Sequence, residues 1–178
     1  MAGEHHGLTL TEAEYLALPE TNQRVELVEG TVRFGGSSSA RHQHLLSELL
    51  LQVFGWANQS NAAFAVGLSP LDVCFGSQNI LQPDLFMLEG RLPVDEVGPI
   101  RQVPKLCLEV LEADGAFERG HKRMLYAAAG VAEYWCVEPT GVVECWSGDG
   151  LQTATEHTDT LASRALPGLN LDVAALRR

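Results

Sequence analysis

The segment Lys105-Leu106-Cys107-Leu108-Glu109-Val110-Leu111 sets the tightest limit on what this chain can fold into. Apolar residues stand at both odd and even positions of the run. A strand built from it has to be covered on both faces, so it belongs in the interior of a sheet with other elements packed above and below. The same run encloses a carboxylate, Glu109. A buried carboxylate is costly unless it is paired or bound to a cation.

Two further acids raise the same question. Asp84 follows Gln82-Pro83 and opens an apolar run, and Glu26 lies inside Val25-Glu26-Leu27-Val28. The plain alternative for each of the three is an outward-facing polar position on a half-exposed strand. Grouped on adjacent strands, however, carboxylates offer hard oxygen ligands, and Mg²⁺ takes one or two of these together with waters and substrate phosphates. Lys122, one of only two lysines in the chain, follows the Glu109 run on a helical segment. It shares a face with Leu125, Tyr126 and Ala129, which should look inward. Its alternative is a surface pair with Glu118, four residues earlier.

The rest of the chain supplies a sheet and its cover. Thr11 with Glu14 three residues later is a capping-box pattern, and that helix stops near Pro19. Two β-prone runs, 24–28 and 31–34, flank Glu29-Gly30 and predict a hairpin. After the short flexible stretch Gly35-Gly36-Ser37-Ser38-Ser39, a long helix runs from about Ala40 to Ala57. Leu45, Leu46, Leu49, Leu50, Val53 and Trp56 form its apolar stripe, and 58–61 end it. Strand-like runs follow at 63–66, 71–75, 85–88 and 106–111, with 89–104 read as a loop because of its prolines and glycines. A second helix is predicted over 118–129, closed by Gly130. A hairpin spans 134–146 across Pro139-Thr140-Gly141, and one or two weaker strands fill the tail. There is no internal repeat. This order predicts a mixed α/β (α+β) domain with a central sheet flanked by helices.

The 178 residues fit one domain, residues 1–178, long enough to bury a core without staples. No apolar run approaches the length of a membrane span, and the first residues lack a signal peptide's basic start, so cytoplasm is the expected compartment. Cys74, Cys107, Cys136 and Cys145 form no CxxC pair and read as buried free thiols. Twelve Lys and Arg against 23 Asp and Glu give a net charge of −11. That opposes non-specific adhesion to nucleic acid and leaves room only for a local basic patch. The least negative stretch surrounds the candidate carboxylates: Arg101 to Arg123 holds five basic residues against four acidic ones, where residues 1–23 hold four acids and no Lys or Arg, and 124–178 three bases and seven acids.

Taken in order, six pieces of the chain carry a resemblance that none carries alone. They are Arg24-Val25-Glu26-Leu27-Val28-Glu29-Gly30, Arg41-His42-Gln43-His44, Gln82-Pro83-Asp84-Leu85, the Glu109 run from Pro104, Lys122-Arg123-Met124-Leu125-Tyr126, and Gly130-Val131-Ala132-Glu133-Tyr134-Trp135. The sequence resembles the Uma-type restriction-endonuclease family of the PD-(D/E)XK nuclease superfamily, over about Leu10 to Pro139. The resemblance implies a restriction-endonuclease-like core and a metal-dependent endonuclease hydrolysing phosphodiester bonds in DNA. It implies Asp84 and Glu109, with Val110, at a Mg²⁺ site that Mn²⁺ can also fill. Glu26 and Lys122 join Asp84 and Glu109 as catalytic residues, Lys122 replacing the superfamily lysine whose usual position is Leu111 here. His42, Gln82 and Glu118 are secondary candidates, with Gln82 expected beside Asp84. A homodimer would serve cleavage of both strands. Where the family has a Ser-Pro-Ser-like turn, this chain has Glu112-Ala113-Asp114-Gly115, which adds two carboxylates near the site. Where it has Asp four residues before the lysine, this chain has Glu118. Two rival readings stay open: a catalytically weak or silent module of the same fold that binds nucleic acid or a partner protein, and a general metal-binding or interaction protein in which the carboxylates only pair with Arg and Lys.

Overall fold

Thr11 caps helix α1 (Glu12–Leu16) in the computed structural model, which describes residues 5–19, 21, 23–60, 63–112 and 115–178. The Thr11 hydroxyl accepts from the Glu14 amide while the Glu14 carboxylate accepts from the Thr11 amide, so the predicted capping box forms. Tyr15 is the buried residue of α1, and its hydroxyl donates to the Val25 carbonyl at 2.8 Å, docking the helix on the next hairpin. That hairpin pairs β1 (Val25–Val28) with β2 (Thr31–Phe34) in antiparallel register. Its turn needs positive φ at Glu29 (49°) and Gly30 (75°), and glycine supplies the second at no steric cost.

Helix α2 (Ala40–Gln59) starts at Ser39, whose hydroxyl accepts from the His42 amide. It ends two residues beyond the expected Ala57, and Asn61 of the predicted terminator lies outside the described residues. Leu45, Leu49 and Val53 are its buried stripe, as the periodicity requires. Then come β3 (Phe64–Leu68), β4 (Val73–Cys74), β5 (Ile80–Leu81), β6 (Leu85–Glu89) and β7 (Leu106–Val110). β5 was not expected: two residues are too few to show a period. The loop after β6 contains no strand, but Ile100 makes one parallel bridge to Val73 and is buried there.

The second predicted helix differs in one turn. Residues Glu118–Lys122 form a π-helical turn that runs into α3 (Arg123–Ala129), which Gly130 closes at φ 90°. π turns of this kind are frequent at functional sites. Strands β8 (Glu133–Val137) and β9 (Val143–Ser147) make the expected hairpin. The tail adds three strands rather than one or two: β10 (Thr153–His157), β11 (Thr160–Ala162) and β12 (Asn170–Asp172).

The main sheet has six strands in the order β10-β9-β8-β7-β6-β3, with β7 and β8 parallel and the other pairs antiparallel. A smaller sheet has the order β2-β1-β5-β4, and β11 pairs with β12. β7 is buried along its whole length, as its composition demands. Leu106, Leu108 and Val110 face the core shared with Leu45, Leu49 and Val53 of α2. Cys107 faces the other way, toward Tyr126 of α3 and Val28, Val73 and Leu81 of the small sheet. Strand alternation puts Glu109 on that second side with Cys107. Among the described residues, no helix is long and apolar enough to cross a membrane.

Candidate active site

Four elements deliver charge to one place. Glu26 comes from the middle of β1, Asp84 from the residue before β6, Glu109 from β7, and Lys122 from the end of the π turn. All four are buried, with Lys122 only 2% exposed. The Lys122 Nζ donates to Glu26 Oε1 and to Glu109 Oε1, each at 2.8 Å. The amine therefore points at the sheet, as its helical face predicts, and not at Glu118. Tyr126, one turn further along, donates its hydroxyl to the same Glu109 Oε1 at 2.7 Å.

Arg24, two residues before Glu26 and on the same side of that strand, completes the cluster. Its Nη1 donates to Asp84 Oδ1 at 2.9 Å, and its Nη2 to Glu109 Oε2 at 3.0 Å and Glu26 Oε1 at 3.4 Å. The Gln82 carbonyl is a further acceptor for Nη2. Sequence reasoning quoted Arg24 only within a motif and gave it no role. The signal was there: three interior acids against one interior lysine leave charge unmatched, and i, i+2 residues of a strand share a face.

The remaining oxygens are held by fixed donors. Asp84 Oδ2 accepts from the Val110 amide at 2.8 Å and meets His42 Nε2 at 3.1 Å. Glu26 Oε1 also accepts from the Gln82 amide at 2.9 Å. The Gln82 side chain, expected as a polar contact beside Asp84, donates to Asp72 Oδ1 at 2.9 Å.

Electrostatics separate the three acids. Burial pushes the Glu109 carboxyl up, and it stays up despite Lys122 and Arg24 because Asp84 and Glu26 add like charge. Burial also pushes Glu26 up, but Lys122 and Arg24 outweigh it and the net direction is down. For Asp84, burial is overcome by the His42 hydrogen bond and the Arg24 charge, so it too is lowered. Burial presses the Lys122 amine down, yet Glu109 and Glu26 more than restore it, so it is held as an ammonium. The hydrogen bond to Asp84 raises His42 against the opposing effect of burial.

Part of the cluster opens on a cavity of about 330 Å³, and Asp84 is not among the residues that line it. Glu26, Glu109, Val110, Glu118 and Lys122 line it, with Arg24 and His42; the glycine and serine stretch from Gly35 to Ser38 forms part of its wall. Arg33 stands at the rim with its guanidinium 3.9 Å from the Phe117 ring centre, and His121 stacks on Phe117 at 5.5 Å. Glu112, the first acid of the departing turn, accepts from the Ser39 amide at 3.0 Å at the start of α2. Asp114, the second, lies outside the described residues.

Among the described residues, no three His, Cys, Asp or Glu side chains are spaced to hold a metal ion on their own. The donor set still suits Mg²⁺, which needs only one or two carboxylates beside waters and substrate phosphates. Asp84 Oδ1 and Glu109 Oε2 already converge on a single guanidinium.

A mixed sheet with helices packed on both faces is the fold of this chain. It is shared with a solved structure, a putative nuclease belonging to DUF820 from Anabaena variabilis ATCC 29413, at a TM-score of 0.75 and 22% identity over 94% of this chain and 97% of that one. No curated protein matches the chain. The sequence pattern of the family described as "Putative restriction endonuclease" matches residues 12–174, and the chain belongs to that family.

Proposed function

We propose that this protein is a divalent-metal-dependent endonuclease that hydrolyses phosphodiester bonds in DNA. Asp84 and Glu109 would hold Mg²⁺, or Mn²⁺ in its place, with Val110 at the edge of the site. Glu26 and Lys122 act beside them on the reacting phosphate. The observation that carries this reading is the convergence of three buried carboxylates, from three separate strand regions, on two cations, with Glu26, Glu109 and both cations lining an open cavity. A fold that needed only stability would do as well with apolar residues of the same volume.

When bound, the ion supplies Lewis-acid polarisation of a phosphoryl oxygen and lowers the pKa of its water. Hydrolysis joins the water oxygen to phosphorus and releases one bridging oxygen. Lys122, kept as an ammonium, is a donor rather than a base, and it is placed to meet the negative charge that grows on the phosphate. Glu26 anchors that amine from the β1 side, so its position does not depend on Glu109 alone. His42 and the Val110 amide fix Asp84 through Oδ2 and leave Oδ1 on the side of Arg24. Glu118 on the wall and Gln82 behind Glu26 support the site without touching the reacting atoms. Cutting both strands of a duplex calls for a twofold homodimer, and a reducing cytoplasm suits four free thiols.

The test is conversion of supercoiled plasmid to open-circular or linear form with Mg²⁺ or Mn²⁺, beside an Asp84→Ala control. Cleavage that requires both the ion and Asp84 supports the reading. Cleavage by the Asp84→Ala protein at the parental rate, or none by the parent with either ion, refutes it. The silent-module reading has one observation in its favour: Arg24 and Lys122 already compensate the acids, on a chain of net charge −11. It predicts binding of DNA or a partner with no cleavage under any ion.

A further inference from the structure

Arg24 is bound to the two oxygens that a divalent ion would need. Asp84 Oδ2 is taken by the Val110 amide and His42, and Glu109 Oε1 by Lys122 and Tyr126. What Asp84 and Glu109 have left is Oδ1 and Oε2, and these are the atoms on which Arg24 Nη1 and Nη2 sit. An ion cannot bind both while the guanidinium stays.

The same residue is built to leave. Its side chain is 23% exposed where those of Asp84 and Glu109 are 4% and 2%, and it lines the cavity, which Asp84 does not. Its Nε is buried with no hydrogen-bond partner, so the present position leaves one arm of the guanidinium fork unsatisfied. Its stem runs past Gly35, where even a Cβ would come within 3.0 Å of Arg24 Cδ, so the glycine keeps the channel for that stem open. A guanidinium is moreover the side chain that matches phosphate oxygens in a two-pronged fashion, which a lysine cannot do.

We infer that Arg24 is an exchangeable counter-ion: it competes with the divalent ion for Asp84 Oδ1 and Glu109 Oε2, yields them when the ion enters, and then binds a phosphate oxygen of the nucleic-acid backbone in the cavity. This rests on the metal-site reading above and adds to it a coupling between ion and phosphate binding. Arg24 is thus a specificity residue for a phosphate-bearing ligand as well as a barrier to stray metal.

Calorimetric titration of Mn²⁺ into the parent, Arg24→Gln and Asp84→Asn proteins tests it. The expected result is at least tenfold tighter Mn²⁺ binding by Arg24→Gln than by the parent, lost in Asp84→Asn. With Ca²⁺ present in place of Mn²⁺, the Arg24→Gln protein should bind a short DNA duplex at least tenfold more weakly. Parental Mn²⁺ binding that depends on Asp84 but is not tightened by Arg24→Gln overturns the exchange and leaves the metal site standing. No Mn²⁺ binding by either the parent or Arg24→Gln overturns both. Should Arg24→Gln fail to fold, the parent answers the question by itself. Its Arg24 Nε–H resonance, assigned by its loss in Arg24→Lys, should shift on saturation with Mg²⁺, and a resonance that does not move refutes the exchange.

Discussion

Replacing Lys122 by Met keeps the length of the stem and removes the charge. In the parent, the amine meets Glu26 and Glu109 at 2.8 Å each and is almost wholly buried. Removing one partner of a buried pair costs about 3–5 kcal/mol, because the other charge stays behind unpaired. Here the loss falls at the low end. Arg24 still reaches both acids, the Tyr126 hydroxyl still serves Glu109, and the Gln82 amide still serves Glu26. About 3 kcal/mol in a chain of 178 residues lowers Tm by roughly 6–12 °C, at 2–4 °C per kcal/mol for this size. The cause is charge and not packing, so the double variant Lys122→Met with Glu109→Gln should regain about half of the loss, since it removes one unpaired carboxylate. The assay is thermal unfolding by circular dichroism at pH 7 for the parent, the single and the double variant. A Lys122→Met protein that melts within about 1 °C of the parent refutes the argument. So does a double variant less stable than the single one. In the plasmid assay both variants should be inactive, because the proposed donor to the phosphate is gone in each.

Three other outcomes follow from the same structure. Glu133→Ala should cost about 3 kcal/mol or more and should speed hydrogen exchange at the Arg164 and Ala165 amides, because Glu133 Oε2 accepts from both at 2.8 Å and from the Ser163 hydroxyl at 2.9 Å. A thiol reagent on the native protein should find Cys74 alone, with three more thiols on unfolding. Burial pushes Cys136 and Cys145 up to about 12 and Cys107 well above its usual value, whereas Cys74 is only half-buried. Glu112→Ser should strengthen binding of a DNA duplex several-fold at low salt, because it withdraws a carboxylate from the start of α2 beside the cavity; unchanged affinity would show that this acid does not face the ligand.

Most of what positions the site was legible because it follows from short-range rules. The all-apolar flanks of Glu109 required a strand covered on both faces, and β7 is that strand. The face shared by Lys122 and Tyr126 required the amine to look inward, and both residues end on Glu109. What escaped depends on pairings between distant segments. β5 has two residues and exists because β1 and β4 hold it on either side. The π turn carries no mark in the sequence, since one extra residue in a helical turn leaves composition and spacing almost unchanged. Arg24 looked like the polar entry to a hairpin until Asp84 and Glu109, 60 and 85 residues away, were brought against it.

Glu133 shows why an acid in an apolar strand does not by itself mark a reactive site. It is as buried as Glu109 and stands in just such a run, at the start of β8. Its partners differ in kind. Backbone amides, the Ser163 hydroxyl, the Trp135 indole and the Cys145 thiol satisfy it, and these donors are fixed by the fold or by packing. They tie the loop before β12 to the main sheet and leave Glu133 nothing to exchange. Glu109 is matched instead by the ends of two long, flexible cations, both of which line a cavity. Backbone amides cannot be withdrawn without unfolding the segment that carries them, whereas a guanidinium can swing through its own side-chain rotations. The distinction we propose between a structural carboxylate and one able to take a metal therefore lies in the mobility of the donors around it, and on this ground the two buried glutamates of adjacent parallel strands have opposite proposed roles.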